Sequence, residues 1–266
     1  MLADSAAGFL QTAAPVSKFR EMRDAGQTHD PALWAQMVEQ GWAGVLVPEE
    51  AGGSDMGFAA ANVLAHEMGK TLTISPFLSS AVIAATALRQ VSDARANGAL
   101  AKIASGEATY ALAVDEGIKF DPESTALEAS KDGNGFRLNG KKQFVVDGAN
   151  ADRLLVLANS GEGLTLFDIP ADRDGITRDA SNMIDARDAA RITFEDVEAT
   201  GEDVLGSVDD AMTVLRPAIE AGQAALAAEM SGLATAAFGM TVDYLKERKQ
   251  FGIEIGRFQA LQHRAA

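Results

Sequence analysis

The chain has 266 residues, enough to bury a sizeable core as one large domain or two to three smaller ones. It carries 38 acidic against 23 basic residues, a formal charge of −15 that would repel a phosphate backbone and argues against nucleic acid as a partner. Cysteine is absent, which rules out disulfides, thiolate metal sites and cysteine nucleophiles.

The N-terminal stretch MLADSAAGFLQTAAP carries Asp4 where a signal peptide needs positive charge, and Gln11 and Thr12 break its apolar run. No run approaches the ~20 apolar residues of a membrane span, so a cytoplasmic protein is expected. The first ~105 residues read as helices by apolar spacing. Asp30-Pro31 is a cap followed by a proline at the first helical position, and Leu33, Trp34, Met37 and Val38 mark one face before Gly41. The apolar run AGVLVPEEAGG leads to a second start at Ser54-Asp55, where Phe58, Ala61, Val63, Leu64 and Met68 keep helical spacing up to Gly69. Ser75-Pro76 opens a third helix through SSAVIAATALRQ, and a fourth covers Asp93 to Ser105.

Between Thr109 and about Phe194 the pattern changes to short β runs separated by turn residues. YALAV is one; FRLNGKKQFVV reads as two strands around the hairpin signal Asn139-Gly140; RLLVLA, LTLFDI and RITFEDV complete the set. Strands without helices between them predict an antiparallel sandwich or barrel. From about Val208 to Arg248 the reading returns to a long helix with Leu226, Met230, Leu233, Ala237 and Leu245 on one apolar face, and Pro217 kinks it or marks its start. The fold class is therefore α+β: an all-α N-terminal domain (1–107), an antiparallel β-barrel or sandwich (108–204) and the first helices of an incomplete C-terminal helical bundle (205–266).

Several motifs lead nowhere. His29, His66 and His263 lie far apart, and His66-Glu67 lacks the second histidine of a zinc helix, so no metal site is expected. GFRLNGKK nearly matches a phosphate-binding loop, but Lys142 stands where magnesium needs a hydroxyl, and the segment is β rather than a strand-to-helix turn. Neither GxGxxG nor GxSxG is present.

The last twenty residues, ERKQFGIEIGRFQALQHRAA, place Arg248, Gln250, Phe251 and Gly252 just ahead of Phe258 and Gln259. A basic last helical turn and a glycine stop would explain the arginine, but not the Gln-Phe-Gly and Phe-Gln pairs. This stretch resembles the signature of the acyl-CoA dehydrogenase family, in which a long helix ends in R-x-Q-F-G and a Phe-Gln pair opens the next. GWAGVLVPEEAGG and LNGKKQFVVDGANAD resemble two further family segments, and the resemblance runs along the whole chain.

The resemblance implies a flavoenzyme that holds FAD between subunits and α,β-desaturates an acyl-CoA. An electron-transfer flavoprotein or similar acceptor would reoxidise it, and the assembly would be at least a dimer, homo- or hetero-oligomeric. Carried over by position, Arg248 would meet the FAD diphosphate, which a planar guanidinium fork suits. Gln250 and Gln259 would hydrogen-bond the cofactor's linker, and Phe251, with Phe258 nearby, would pack on its flat portions. Together they would form the half of the site lent to a neighbouring subunit.

Three departures follow from the same comparison. Ala113 stands where the family's first flavin strand has a threonine, while Phe144 and Val146 replace the tryptophan and threonine of its second flavin contact. An early-helix glutamate base would fall at Gly222, with Glu220 and Glu229 nearby but off that spacing; Glu220 is the weak candidate for the base. Ending at Arg264-Ala265-Ala266 without a cap, the sequence reads as a fragment, and the altered flavin strand reads as a non-catalytic subunit of an unlike pair. Steroid side-chain dehydrogenases in the family work as such pairs.

Overall fold

The computed structural model describes residues 1–181 and 183–266. Six helices come first: α1 (Leu2–Ala13), α2 (Val16–Asp24), α3 (Pro31–Glu39), α4 (Gly57–Thr71), α5 (Ala85–Arg89), entered through a π-helical stretch Phe77–Ala84, and α6 (Ala94–Ser105). The capping signals act as their chemistry predicts. Asp30 accepts the Leu33 N–H at 3.0 Å and Asp93 accepts the Ala96 N–H at 2.7 Å, each satisfying a first-turn donor that the helix leaves free. Leu33, Trp34 and Met37 are buried as the spacing required. The run AGVLVPEEAGG is a folded loop: Val45, Leu46 and Val47 are buried, Gly52 has φ +82°, and a Cβ on Gly53 would lie 2.0 Å from the Val47 carbonyl oxygen.

Seven strands follow: β1 (Tyr110–Ala113), β2 (Glu128–Asp132), β3 (Gly135–Val146), β4 (Arg153–Asn159), β5 (Leu164–Pro170), β6 (Ile176–Ala180) and β7 (Ala189–Ala199). They form one sheet in the order β1-β4-β2-β3-β7-β6, with β5 added on β4. Two details differ from the sequence expectation. First, the sheet is mostly antiparallel, but β1 runs parallel to β4, because the chain between them makes the β2–β3 hairpin before returning. Second, Asn139-Gly140 is no hairpin turn. FRLNGKKQFVV is one bent strand, and the turn lies at Gly133-Asn134 between Asp132 and Gly135. Gly140 has φ +144° at an irregularity opposite β7, where a Cβ would come within 2.9 Å of the Leu127 backbone; Asn139 accepts the Asp196 N–H across it at 2.8 Å.

Helix α7 (Ala211–Glu247) has 37 residues, or ~56 Å at ~1.5 Å per residue. Pro217 lies within it, and the true start is Ala211. By length and composition α7 could cross a membrane, although alanine, glycine and scattered charges keep its apolar runs short. The apolar face named from the sequence is not the face this chain buries. Leu226, Met230 and Leu233 are exposed, while Ala211, Val214, Leu215, Ala218, Ala221, Gly222, Ala225 and Gly232 are buried. Small residues win because α4 crosses very close. A Cβ on Gly232 would lie 1.9 Å from the His66 carbonyl oxygen, and one on Gly69 would lie 2.0 Å from that of Glu229. Beyond α7 come a two-stranded ribbon, β8 (Lys249–Gln250) with β9 (Ile253–Glu254), and α8 (Gln259–Ala265).

Candidate active-site cleft

A cleft of about 290 Å³ opens where the helical layer, the sheet and α7 meet. One wall is the π-helical stretch, contributing Leu78, Ser79 and Ile83; a second is α7, contributing Ile219, Gly222, Gln223 and Leu226. The third is the adjacent ends of β1 and β3, with Leu112 of β1 and Val114 and Asp115 just beyond it on one side and Phe144 and Val146 on the other.

The β1–β3 wall is built by strand alternation and one irregularity. Tyr110, Leu112 and Val114 face the helices, whereas Ala111 and Ala113 fill the sheet's own core. Ala113 therefore contributes backbone near the cleft, and its side chain points the other way. The pairing of β3 with β7 shifts register between Lys142 and Val145, and within that shift Phe144 takes φ +53°. A left-handed aromatic costs ~1–2 kcal/mol. The bulge turns a side chain of the sheet out into the cleft, leaving Phe144 53% exposed. Ser80 pins this wall to the helices: it accepts the Tyr110 N–H at 2.8 Å and donates to the Tyr110 carbonyl at 3.2 Å.

Two carboxyls the sequence reading passed over sit here. Asp115 lines the cleft itself, and burial raises its pKa against the opposing charge of Lys142. Asp147, next to Val146, is hydrogen-bonded by the Ser79 hydroxyl and lies behind the cleft floor. Burial pushes its pKa up to about 7; the Ser79 hydrogen bond and Arg187 pull it down, while Asp188 and Glu229 add to the rise. Arg187, whose charge acts on Asp147, pairs with Glu229 of α7. The acidic residue closing each β run was the available signal, hidden because Asp-Glu-Gly and Asp-Gly read as turns. Glu220 faces solvent and does not line the cleft; Gly222 does, and a Cβ there would meet the Ile83 side chain at 2.8 Å.

The C-terminal cluster is elsewhere. Arg248 follows Gly222 by 26 positions, or ~39 Å along α7. Its guanidinium is exposed and makes no ion pair among the described residues. Phe251 and Gly252 are the central pair of the β8–β9 turn, both with positive φ (+54° and +82°). Phe251 stands 92% exposed, edge-on to Phe258 at 6.1 Å. Gln250 and Gln259 are exposed on the same small ribbon and helix start. The structure thus gathers Arg248, Gln250, Phe251, Phe258 and Gln259 at one end of α7, and Phe144, Val146 and Gly222 near the other.

The family model for the acyl-CoA dehydrogenase N-terminal domain matches residues 1–107, and that for the C-terminal domain matches residues 211–266. The chain belongs to the acyl-CoA dehydrogenase family. The short/branched chain specific acyl-CoA dehydrogenase of Rattus norvegicus mitochondria is 29% identical over 241 residues, 86% of this chain and 56% of that relative. A solved variant of the Tcur3481-Tcur3483 steroid ACAD superposes with TM-score 0.87 at 30% identity, covering 99% of this chain and 71% of that one. The ChsE4-ChsE5 complex from Mycobacterium tuberculosis shares the fold, with TM-score 0.87 at 24% identity, over 99% of this chain and 71% of that one. The chain spans between 56% and 64% of the length of curated relatives it matches. Members of the family are FAD-dependent flavoproteins, and the residues here fit a flavin in kind: a bare aromatic face at Phe144 in an apolar cleft, and the exposed Arg248 guanidinium near an exposed Phe251.

Proposed function

We propose that this chain serves acyl-CoA dehydrogenase chemistry, α,β-desaturation of an acyl-CoA thioester, as an FAD-holding member of a cytoplasmic oligomer. The observation that carries this reading is the cleft at the junction of the π-helical stretch, the β1–β3 wall and α7, in a chain of this family. FAD, when bound, supplies the acceptor for the hydride leaving the β-carbon. Phe144 presents its ring to the flat cofactor, and Leu78, Ile83, Ile219 and Leu226 exclude water and bind the acyl chain. Arg248 holds the diphosphate of the cofactor seated in a neighbouring subunit, and Gln250, Phe251, Phe258 and Gln259 flank it. The ~39 Å between Gly222 and Arg248 supports this division between two chains. Electrons leave to an electron-transfer flavoprotein or similar acceptor.

Proton abstraction next to the thioester needs a carboxylate within hydrogen-bond reach. On α7, where the family's early-helix base would fall, Gly222 offers none and Glu220 points to solvent; the carboxyl that does line the cleft, Asp115, sits on the opposite, sheet-side wall. This favours a second reading, in which the chain is a non-catalytic FAD-clamping subunit of a heteromeric acyl-CoA dehydrogenase, possible substrates including steroid side chains. The steroid ACAD that matches at 30% identity carries a two-part name of that kind. Under either reading the purified 266-residue protein turns over acyl-CoA with an artificial acceptor slowly or not at all, and robust turnover refutes both. Arg248→Ala in the assembled oligomer is expected to release flavin. Unchanged retention would remove the clamp from the proposal.

A further inference from the structure

We propose that Lys142 is a positioning residue that stitches the exit of β1 to β3 and so holds the Asp115 and Phe144 sides of the β1–β3 wall in register. Its ammonium is fully buried, donating to the Val114 carbonyl at 3.1 Å and to the Glu116 carboxylate at 2.6 Å. The next residue continues the seam: the Gln143 N–H donates to the Asp115 carbonyl at 2.8 Å, and its Nε2 to the Glu116 carbonyl at 2.7 Å. Three successive carbonyls beyond the end of β1 are thereby taken up by two successive residues of β3. Phe144, turned out into the cleft, comes immediately after them.

Glu116 extends the seam in the other direction. Its carboxylate accepts the Ala126 and Leu127 N–H groups at 2.7 and 2.9 Å, closing the loop between β1 and β2. Burial pushes its pKa up, but the Lys142 hydrogen bond and those two amides outweigh it, so Glu116 stays ionised. Within that loop Phe120 returns to line the cleft, while Ile118 stands fully exposed. A buried ion pair is a poor source of stability, because desolvation offsets the Coulomb gain; fixing one geometry among several is its better-attested use. The short pairing of β1 needs such help. Among the described residues its four residues ladder with β4 and not with β3, so the Lys142–Gln143 seam supplies hydrogen bonds there that strand pairing does not.

The absence of cysteine makes the test direct. Phe120→Cys carries a nitroxide label, and Lys142→Met and Glu116→Gln are introduced separately, the second as the milder change should the first fail to fold. Phe120 is half-exposed at the cleft rim, so the parent label keeps some motion, and both variants are expected to increase its mobile fraction. In the FAD-loaded oligomer, Lys142→Met or Glu116→Gln shifts the flavin's visible band and lowers FAD retention while helical circular dichroism is kept. That arm rests on the function proposed above; the label arm does not. An unchanged line shape overturns the stitch, and a more mobile label with an unchanged flavin band and retention overturns positioning, leaving Lys142 as a stability group. A parent that holds no flavin overturns the proposed function instead. In that case an environment-sensitive fluorophore on Phe144→Cys decides, since its emission must shift in the variants and constancy overturns the proposal.

Discussion

Replacing Gly232 by alanine tests the crossing that positions α7 against the helical layer. The new Cβ would sit 1.9 Å from the His66 carbonyl oxygen and 2.8 Å from its carbon, both backbone atoms with no rotamer to yield. An ordinary carbon–oxygen approach is ~3.3 Å or more, so α4 and α7 must separate by roughly 1.4 Å. Alanine returns ~1 kcal/mol of helix propensity, but overpacking of this kind costs ~1–3 kcal/mol. Separation also loosens the second close approach of the same crossing, where Gly69 meets the Glu229 backbone. The net expectation is a loss of ~2 kcal/mol, lowering Tm by about 4–8 °C. Gly98 is the control: it is exposed within α6, with nothing within 4 Å of an added Cβ. Gly98→Ala should gain up to ~1 kcal/mol. Parallel calorimetric melts read both. A Gly232→Ala protein as stable as its parent would refute the close crossing and the cleft geometry that depends on it.

Three further outcomes follow from single side chains. Gly53→Ala places a Cβ 2.0 Å from the Val47 carbonyl oxygen, in a loop whose Val45, Leu46 and Val47 belong to the helical core, and should cost ~1–3 kcal/mol of stability, read as a lower urea midpoint. Phe251→Asn relieves a left-handed aromatic worth ~1–2 kcal/mol, so melting should be unchanged or raised while FAD retention in the oligomer falls; joint loss of both would mean that Phe251 is structural. Asp147, raised from 3.8 to about 7, binds its proton in the folded state where the unfolded chain has released it. Stability associated with that proton is whole below pH ~4 and is lost as pH rises to about 7, by ~4 kcal/mol at ~1.4 kcal/mol per unit. Asp147→Asn should flatten that slope in denaturant titrations between pH 4.5 and 8, and an unaltered slope would place the titration elsewhere.

The class of the fold was legible because its signals are local. Caps at Asp30 and Asp93 and strand runs such as RLLVLA and LTLFDI specify their own segments whatever surrounds them. The errors are tertiary in origin. Asn139-Gly140 has the chemistry of a hairpin turn, yet its glycine is required because the chain passes over Leu127, a contact no spacing reveals. The apolar stripe of α7 is real in sequence but lies outward, since Gly69 and Gly232 let α4 claim the alanine face instead. In the site, Phe144, Val146 and Gly222 do meet. Ala113 brings only backbone near the cleft, as the alternation of large Tyr110, Leu112 and Val114 with Ala111 and Ala113 already implied.

The two strained aromatics constrain the proposed assembly more than any other pair of residues. Phe144 and Phe251 both occupy left-handed backbone, both are exposed, and neither position is one where packing within this chain forces an aromatic. Strain of that size persists where the side chain's exposed face is useful. Their places at opposite ends of α7 rule out one compact ligand held between them in a single chain, the helix between being ~40 Å long. An elongated dinucleotide spanning two chains reconciles both: the ring of Phe144 from one subunit at its flat end, and Arg248 with Phe251 from the next at its diphosphate. The exposed stripe of Leu226, Met230, Leu233, Met240 and Tyr244 runs along the helix between these two points, on the surface such an assembly would cover.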